Sequence, residues 1–225
     1  MKSLNTRAWL GLTLLSIVMG VVLFVSAGTV GYWQAWAYLA IFTGVSAATT
    51  LYLMKRDPAL LERRMRAGPT AETRPAQKII MLFTSLGFIG MLVVAGLDSR
   101  FGWSSVAPAV VVAGDVLVVL GCGLIALVYR ENTFTAATVQ IARNQTVIST
   151  GPYALVRHPM YASATVYLLA MPLALGSYWA LVPMALTIPF LIWRLLDEER
   201  LLTRQLPGYA DYRTRVRHRL VPFVW

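Results

Sequence analysis

Charge, sulfur and imidazole are all scarce in this chain: of its 225 residues 13% are charged, ten are acidic, two are histidine and one is cysteine. The lone cysteine, Cys122, sits in an apolar run, which excludes an intramolecular disulfide framework and a thiolate cluster for a metal. His158 and His218 are too few and too far apart in sequence to argue for a metal centre. So little charge beside 57% hydrophobic residues is not the composition of an ordinary soluble domain. Water is not the main solvent of this protein.

What is present in quantity is apolar sequence in long runs. A hydrocarbon core requires about twenty apolar residues of a helix, because every backbone amide must be satisfied within the segment. Runs that approach this length lie at 9–27, 33–54, 79–97, 106–129, 159–175 and 179–196. The last two are short, carry Pro172, Pro183 and Pro189, and are separated by only Gly176, Ser177 and Tyr178, so they read as a tight helical hairpin. The expected fold is all-α, a polytopic membrane helical bundle of about six spans.

The basic residues orient it. Lys and Arg in short loops are retained on the cytoplasmic side, and an even number of spans would put 19 of the 20 on one face, with Arg100 alone on the other. Both termini are then expected to be cytoplasmic. Lys2 and Arg7 followed by an apolar run and Val25-Ser26-Ala27 mimic a secretory signal, but the run exceeds the usual core of about 7–15 residues, which favours an uncleaved anchor. The net charge of +10 follows membrane borders instead of one aromatic-studded face, so anionic lipid headgroups, not nucleic acid, are the expected partner.

The first half looks like scaffold. Between its second and third spans, Leu60, Leu61 and Met65 stand among arginines, a pattern expected to lie along the headgroups. Asp115 is the acid placed well inside a span, where an ionisable group is costly; it is either functional or bonded to a neighbouring helix.

The second half has a different texture. Residues 130–150 are too rich in Thr, Asn and Gln to cross a membrane, and their periodicity does not decide between short extended pieces and a loop. Then comes Arg157-His158-Pro159-Met160-Tyr161 at the mouth of the fifth run. Proline suits the first position of a helix, so Pro159 marks a start, with His158 at the cap. The free amides, Arg157 and His158 together suit a carboxylate or phosphate. Gly151-Pro152-Tyr153 forms a turn just before it. Asp197, Glu198 and Glu199 close the sixth run at the same face, so a cationic corner should meet an acidic one; the alternatives are plain headgroup anchoring and an exposed Arg194–Glu198 pair.

From Glu131 and Asn132, through GPYALVRHPMY, to DEERLL and PGYADYRTRVRHRLVPF, the chain resembles the isoprenylcysteine carboxyl methyltransferases and the related membrane phospholipid methyltransferases. The resemblance covers about the last 95 residues. It implies residues 1–129 as a scaffold of about four helices, and residues 130–225 as a cofactor-binding catalytic region with the hairpin and a cytoplasmic tail. It further implies a cytoplasmic pocket for S-adenosylmethionine and no metal. Carried over residue by residue, it points to Gln140, Val147, Gly151, Pro152, Tyr153, His158, Pro159, Tyr161 and Glu198 as cofactor-binding, and to Arg157 and Glu199 as catalytic. The chain departs from the family in having Ala162 and Ser163 where glycine often follows the tyrosine, which leaves the closeness of backbone to cofactor open.

The function expected from the resemblance is methyl transfer to a lipophilic or prenylated substrate arriving from the bilayer, carboxyl O-methylation of an isoprenylcysteine first and phospholipid N-methylation second. Membrane sterol reductases share a similar ending and bind NADPH, for which Arg143, Arg204 and Arg213 would be available. A non-enzymatic lipid-binding protein is the remaining reading.

Overall fold

A computed structural model describes residues 2–225. They form eight α-helices, α1 Lys2–Ala27, α2 Trp33–Arg56, α3 Pro58–Met65, α4 Pro75–Phe101, α5 Pro108–Glu131, α6 Pro159–Ala174, α7 Leu181–Gln205 and α8 Tyr209–Arg215, with a 3-10 turn at Gly151–Ala154. No strand occurs among the described residues, and residues 132–150 are a loop. Proline opens α3, α4, α5 and α6, at the position where its missing amide has no helical partner to lose. Asp57 caps α3 by accepting a 2.9 Å hydrogen bond from the Leu60 amide.

Four helices, α1, α2, α4 and α5, are long and apolar enough to cross a membrane. The sequence suggests two more. However, α6 has 16 residues, which at about 1.5 Å per residue falls short of a hydrocarbon core of about 30 Å. The second half of α7 carries Arg194, Asp197, Glu198, Glu199 and Arg200, so only its first half is apolar.

The six longest helices touch in a closed order: α1, α2, α5, α6, α7, α4 and back to α1. The hairpin partners α6 and α7 pack mainly on other helices, α6 on α5 and α7 on α4. Glycines allow the closest of these contacts. A Cβ added at Gly121 would stand 2.9 Å from the Tyr167 amide nitrogen, and one at Gly114 would strike the backbone of Ala174, so α5 and α6 approach backbone to backbone. Met19, Leu23, Tyr38, Met91, Val118, Met171 and Met184 fill the interior. Leu10, Leu14, Ile17 and Val21 of α1 are exposed along one stripe, the surface a lipid environment would cover.

The two ends of the bundle differ. At one end Asp98, at the foot of α4, accepts from the Ser104 amide (2.6 Å), the Ser104 hydroxyl (2.7 Å) and the Ser177 hydroxyl (2.5 Å), tying the α6–α7 turn to α4. Arg100 lies here with exposed Trp33, Trp36, Trp103 and Trp179. At the other end α3, the 132–158 loop, α8 and the tail after it converge. Leu60 and Leu61 of α3 are buried against Ala8 and Leu53, not laid along a surface as the sequence suggests, because α3 folds back under α1 and α2. Asp115 is nearly buried on α5, and its Oδ1 finds no hydrogen-bond partner.

Candidate active site

The basic end contains a cavity of about 410 Å³. Its walls come from the 132–148 loop, Tyr153, the head of α6, the foot of α7 and α8, with Arg64, Ala67, Met81 and Thr84 contributed by the first half of the chain. Of the residues singled out in sequence, Gln140, Val147, Tyr153, Arg157, His158, Tyr161 and Glu198 line it. Gly151, Pro152, Pro159 and Glu199 do not. Gly151 and Pro152 form the 3-10 turn that delivers Tyr153, whose hydroxyl accepts from Asn132 Nδ2 at 2.9 Å and whose carbonyl accepts from the Tyr212 hydroxyl at 2.7 Å. Pro159 starts α6, and its carbonyl takes the Ser163 hydroxyl at 2.7 Å. Neither Ala162 nor Ser163 faces the cavity, so the absence of glycine there leaves its wall unchanged; Ala164 is the small residue that reaches it.

Arg157 and Glu199 meet at the head of α6 and the foot of α7, Nε to Oε1 at 2.7 Å, both buried. Glu199 is a hub: Arg219 Nε lies 2.9 Å from its Oε2, Arg213 Nε 3.7 Å and His158 Nε2 4.0 Å from its Oε1. Arg157 Nη1 donates to the carbonyls of Val216 and Arg217, each at 3.0 Å. The Arg157 and His158 amides donate to His218 and Arg219 carbonyls at 2.9 and 3.0 Å. The tail is thereby clasped to the turn that carries Arg157 and His158. These bonds consume most of the Arg157 donors, so the guanidinium fixes the wall more than it offers itself to a ligand.

A second ionic group joins Arg194 and Asp197, which the sequence marks, to Glu72, Arg74 and Gln77, which it does not. Arg194 forms no exposed pair with Glu198. It is buried, and its Nη1 donates to Glu72 Oε1 (2.8 Å) and Gln77 Oε1 (2.6 Å) and its Nη2 to the Ala137 carbonyl (2.7 Å). Glu72 Oε2 accepts from the Val139 amide at 3.2 Å, while Gln77 and Arg74 hold Asp197. Nothing in spacing could have paired Glu72 with a residue 122 positions away. Glu198 is left to accept the Tyr161 hydroxyl at 2.5 Å.

Burial governs the charge states. It drives the His158 imidazole down from 6.5 to about 4, the positive Arg157 and Arg219 adding to the effect and the Glu199 carboxylate opposing it. Burial alone would raise Glu199, but the hydrogen bond from Arg219 and the charges of Arg157, His158 and Arg219 outweigh it and hold the carboxyl below 4.5. Burial raises Glu198, partly offset by the Tyr161 hydroxyl and Arg194. His158 is therefore neutral at pH 7. Stability against acid should follow: it is complete above pH 6.5 and declines toward about pH 4, because the unfolded chain takes up the His158 proton that the folded chain refuses. The slope is about 1.4 kcal/mol per pH unit, about 3 kcal/mol in all. The depressed Glu199 adds further loss at the lower end, since its contribution is present above 4.5 and disappears below its folded value. Thermal melting in detergent from pH 7.5 to 4.5 should show this slope in the native protein and a shallower one in His158→Asn; a flat native profile between pH 6.5 and 5 would contradict the assignment.

His158 Nε2 and the Tyr209 hydroxyl, on two residues of the cavity wall, are buried without a hydrogen-bond partner among the described residues. No cluster of three or more metal-ligating side chains exists among the described residues. A helical bundle with long apolar spans and, at its basic end, a largely apolar cavity with a few polar side chains has the build of an integral membrane enzyme. Residues 109–208 match the phospholipid methyltransferase family model, so this segment is similar to the membrane methyltransferases. No curated protein matches it. The matched segment supplies most of the cavity wall, while Arg64, Glu72, Tyr209, Tyr212 and Arg219 lie outside it.

Proposed function

We propose that this methyltransferase holds S-adenosylmethionine in the 410 Å³ cavity and methylates a lipophilic acceptor that enters from the bilayer. The observation that carries the reading is a cavity built largely from the matched segment and lined by Gln140, Tyr153, Arg157, His158, Tyr161 and Glu198. When bound, the cofactor supplies a methyl group already activated by its sulfonium. The chain's own task is to bind, orient and exclude water. The neutral His158 imidazole and the Gln140 amide offer hydrogen bonds, Glu198 is a carboxylate for hydroxyl or amino groups, and Val147, Tyr153 and Tyr209 line the remaining wall. Arg157, in the wall, and Glu199, behind it, keep the α6 head and the tail in place.

The acceptor we favour is a carboxylate of the isoprenylcysteine type. Such a group is ionised at neutral pH and needs no base, and a His158 whose imidazole titrates near 4 is a weak one. The family match favours a second acceptor, the amine of a phospholipid. In the topology we favour, α6 and α7 are short fifth and sixth spans, so that both termini, the cavity and the basic loops face the cytoplasm and its anionic headgroups.

Purified protein titrated with S-adenosylhomocysteine and with NADPH should bind the first saturably; binding of NADPH alone would replace the reading with a reductase. Transfer of labelled methyl to a prenylated cysteine should give a product that alkali hydrolyses, and transfer to phosphatidylethanolamine one that alkali leaves intact.

A further inference from the structure

A second cavity, of about 530 Å³, opens beside the first between α1, α2, α3, α5 and α6. Its size is in the range of small-molecule sites, about 300–1,000 Å³. Leu12, Leu15, Phe42 and Val45 make most of one wall apolar, and Leu15 is also 43% exposed on the outer face of α1, so the groove reaches the surface that lipid covers. Only Arg64 and Ile125 line both cavities.

Arg64 differs from the other two cations of the first cavity. Arg157 is matched by Glu199 and Arg194 by Glu72, whereas Arg64 forms no ion pair among the described residues. Its Nη1 donates to the Ala136 carbonyl at 2.6 Å and its guanidinium stands 5.2 Å from the centre of the Tyr129 ring, leaving donors at the junction; the Glu198 carboxylate across the first cavity feels its charge but forms no ion pair with it. A guanidinium without an ion-pair partner, where an apolar groove meets a cavity of mixed lining, matches a molecule with an apolar tail and an anionic head.

Building on the methyltransferase reading, we infer that the second cavity receives the acceptor's tail and that Arg64 binds its anionic group, a phosphate diester or a carboxylate, so that the acceptor's reactive end faces the first cavity. Arg64 thus sets substrate specificity from outside the segment that matches the family. The tail reaches the reaction from the bilayer, and the cofactor from the other side of the same arginine.

Tetradecyl phosphate is a suitable probe, with tetradecanol and inorganic phosphate as the tail and the anion alone. Native mass spectrometry of the intact protein released from micelles should find one alkyl phosphate retained and neither control. Arg64→Gln should weaken retention at least about tenfold, the size of a lost charge-assisted contact, Arg64→Lys should weaken it less, and in both the fall in retention should exceed any fall in S-adenosylhomocysteine affinity. Gly11→Phe tests the groove independently of the charge. A Cβ at Gly11 meets nothing within 4 Å, so the ring would enter the groove and should expel the alkyl phosphate while sparing S-adenosylhomocysteine. Equal retention by Arg64→Gln, retention of inorganic phosphate alone, or loss of S-adenosylhomocysteine binding in Arg64→Gln would overturn the inference, the last by showing that Arg64 serves the cofactor. Failure of the native protein to bind S-adenosylhomocysteine would instead remove the methyltransferase reading and leave the groove to be judged by the alkyl phosphate.

Discussion

Glu199→Gln should lower the free energy of unfolding by about 3–5 kcal/mol, the cost of leaving a buried charge without its counter-ion, and should weaken S-adenosylhomocysteine binding at the same time. Among the described residues Glu199 is the only carboxylate paired with Arg157, at 2.7 Å, and with Arg219, at 2.9 Å. Removing its charge leaves the Arg157 guanidinium buried and unmatched, and Arg157 also holds the Val216 and Arg217 carbonyls. The tail, the α6 head and His158 should loosen together. Because Glu199 does not line the cavity, the defect should appear in melting temperature and affinity in parallel. A variant that melts normally yet transfers no methyl would show that Glu199 touches the reacting groups.

Arg194→Met should be comparably damaging, about 3–5 kcal/mol, through a different part of the wall. The substitution strands Glu72 and removes the donor from the Ala137 carbonyl. With Glu72 also bonded to the Val139 amide, the loop that carries Gln140 would lose its anchorage, and hydrogen exchange over residues 134–141 should accelerate. The double variant Glu72→Met, Arg194→Met should recover much of the stability, since replacing a buried ion pair by apolar side chains is often neutral. Additive losses in the double variant would show that the two side chains are not coupled.

Both predictions concern contacts that sequence reading reaches to different depths. The Arg157–Glu199 meeting was legible: Pro159 signals a helix start, the acids close the next apolar run, and a short turn must return the second helix to the first. The role of Glu199 as an ion-pair hub behind the cavity was not legible, because its other partners, Arg213 and Arg219, lie on a tail whose path no periodicity announces. The buried α3 was misread for a related reason. Leucines among arginines suit a headgroup layer as well as a packed turn, and only the neighbouring Ala8 and Leu53 decide.

Composition and apolar run length by themselves determined the solvent of this protein, its helical class and the polar end where chemistry collects, because the demand that a bilayer makes on backbone amides is local and acts along the chain. The tertiary structure alone decided that Glu72, Gln77 and Arg64, from the apparent scaffold, complete the site, and that α6 and α7 pack chiefly on α5 and α4. Those outcomes depend on side chains more than a hundred residues apart satisfying one another's buried charge, or on glycine surfaces fitting, and neither leaves a periodic trace in the sequence.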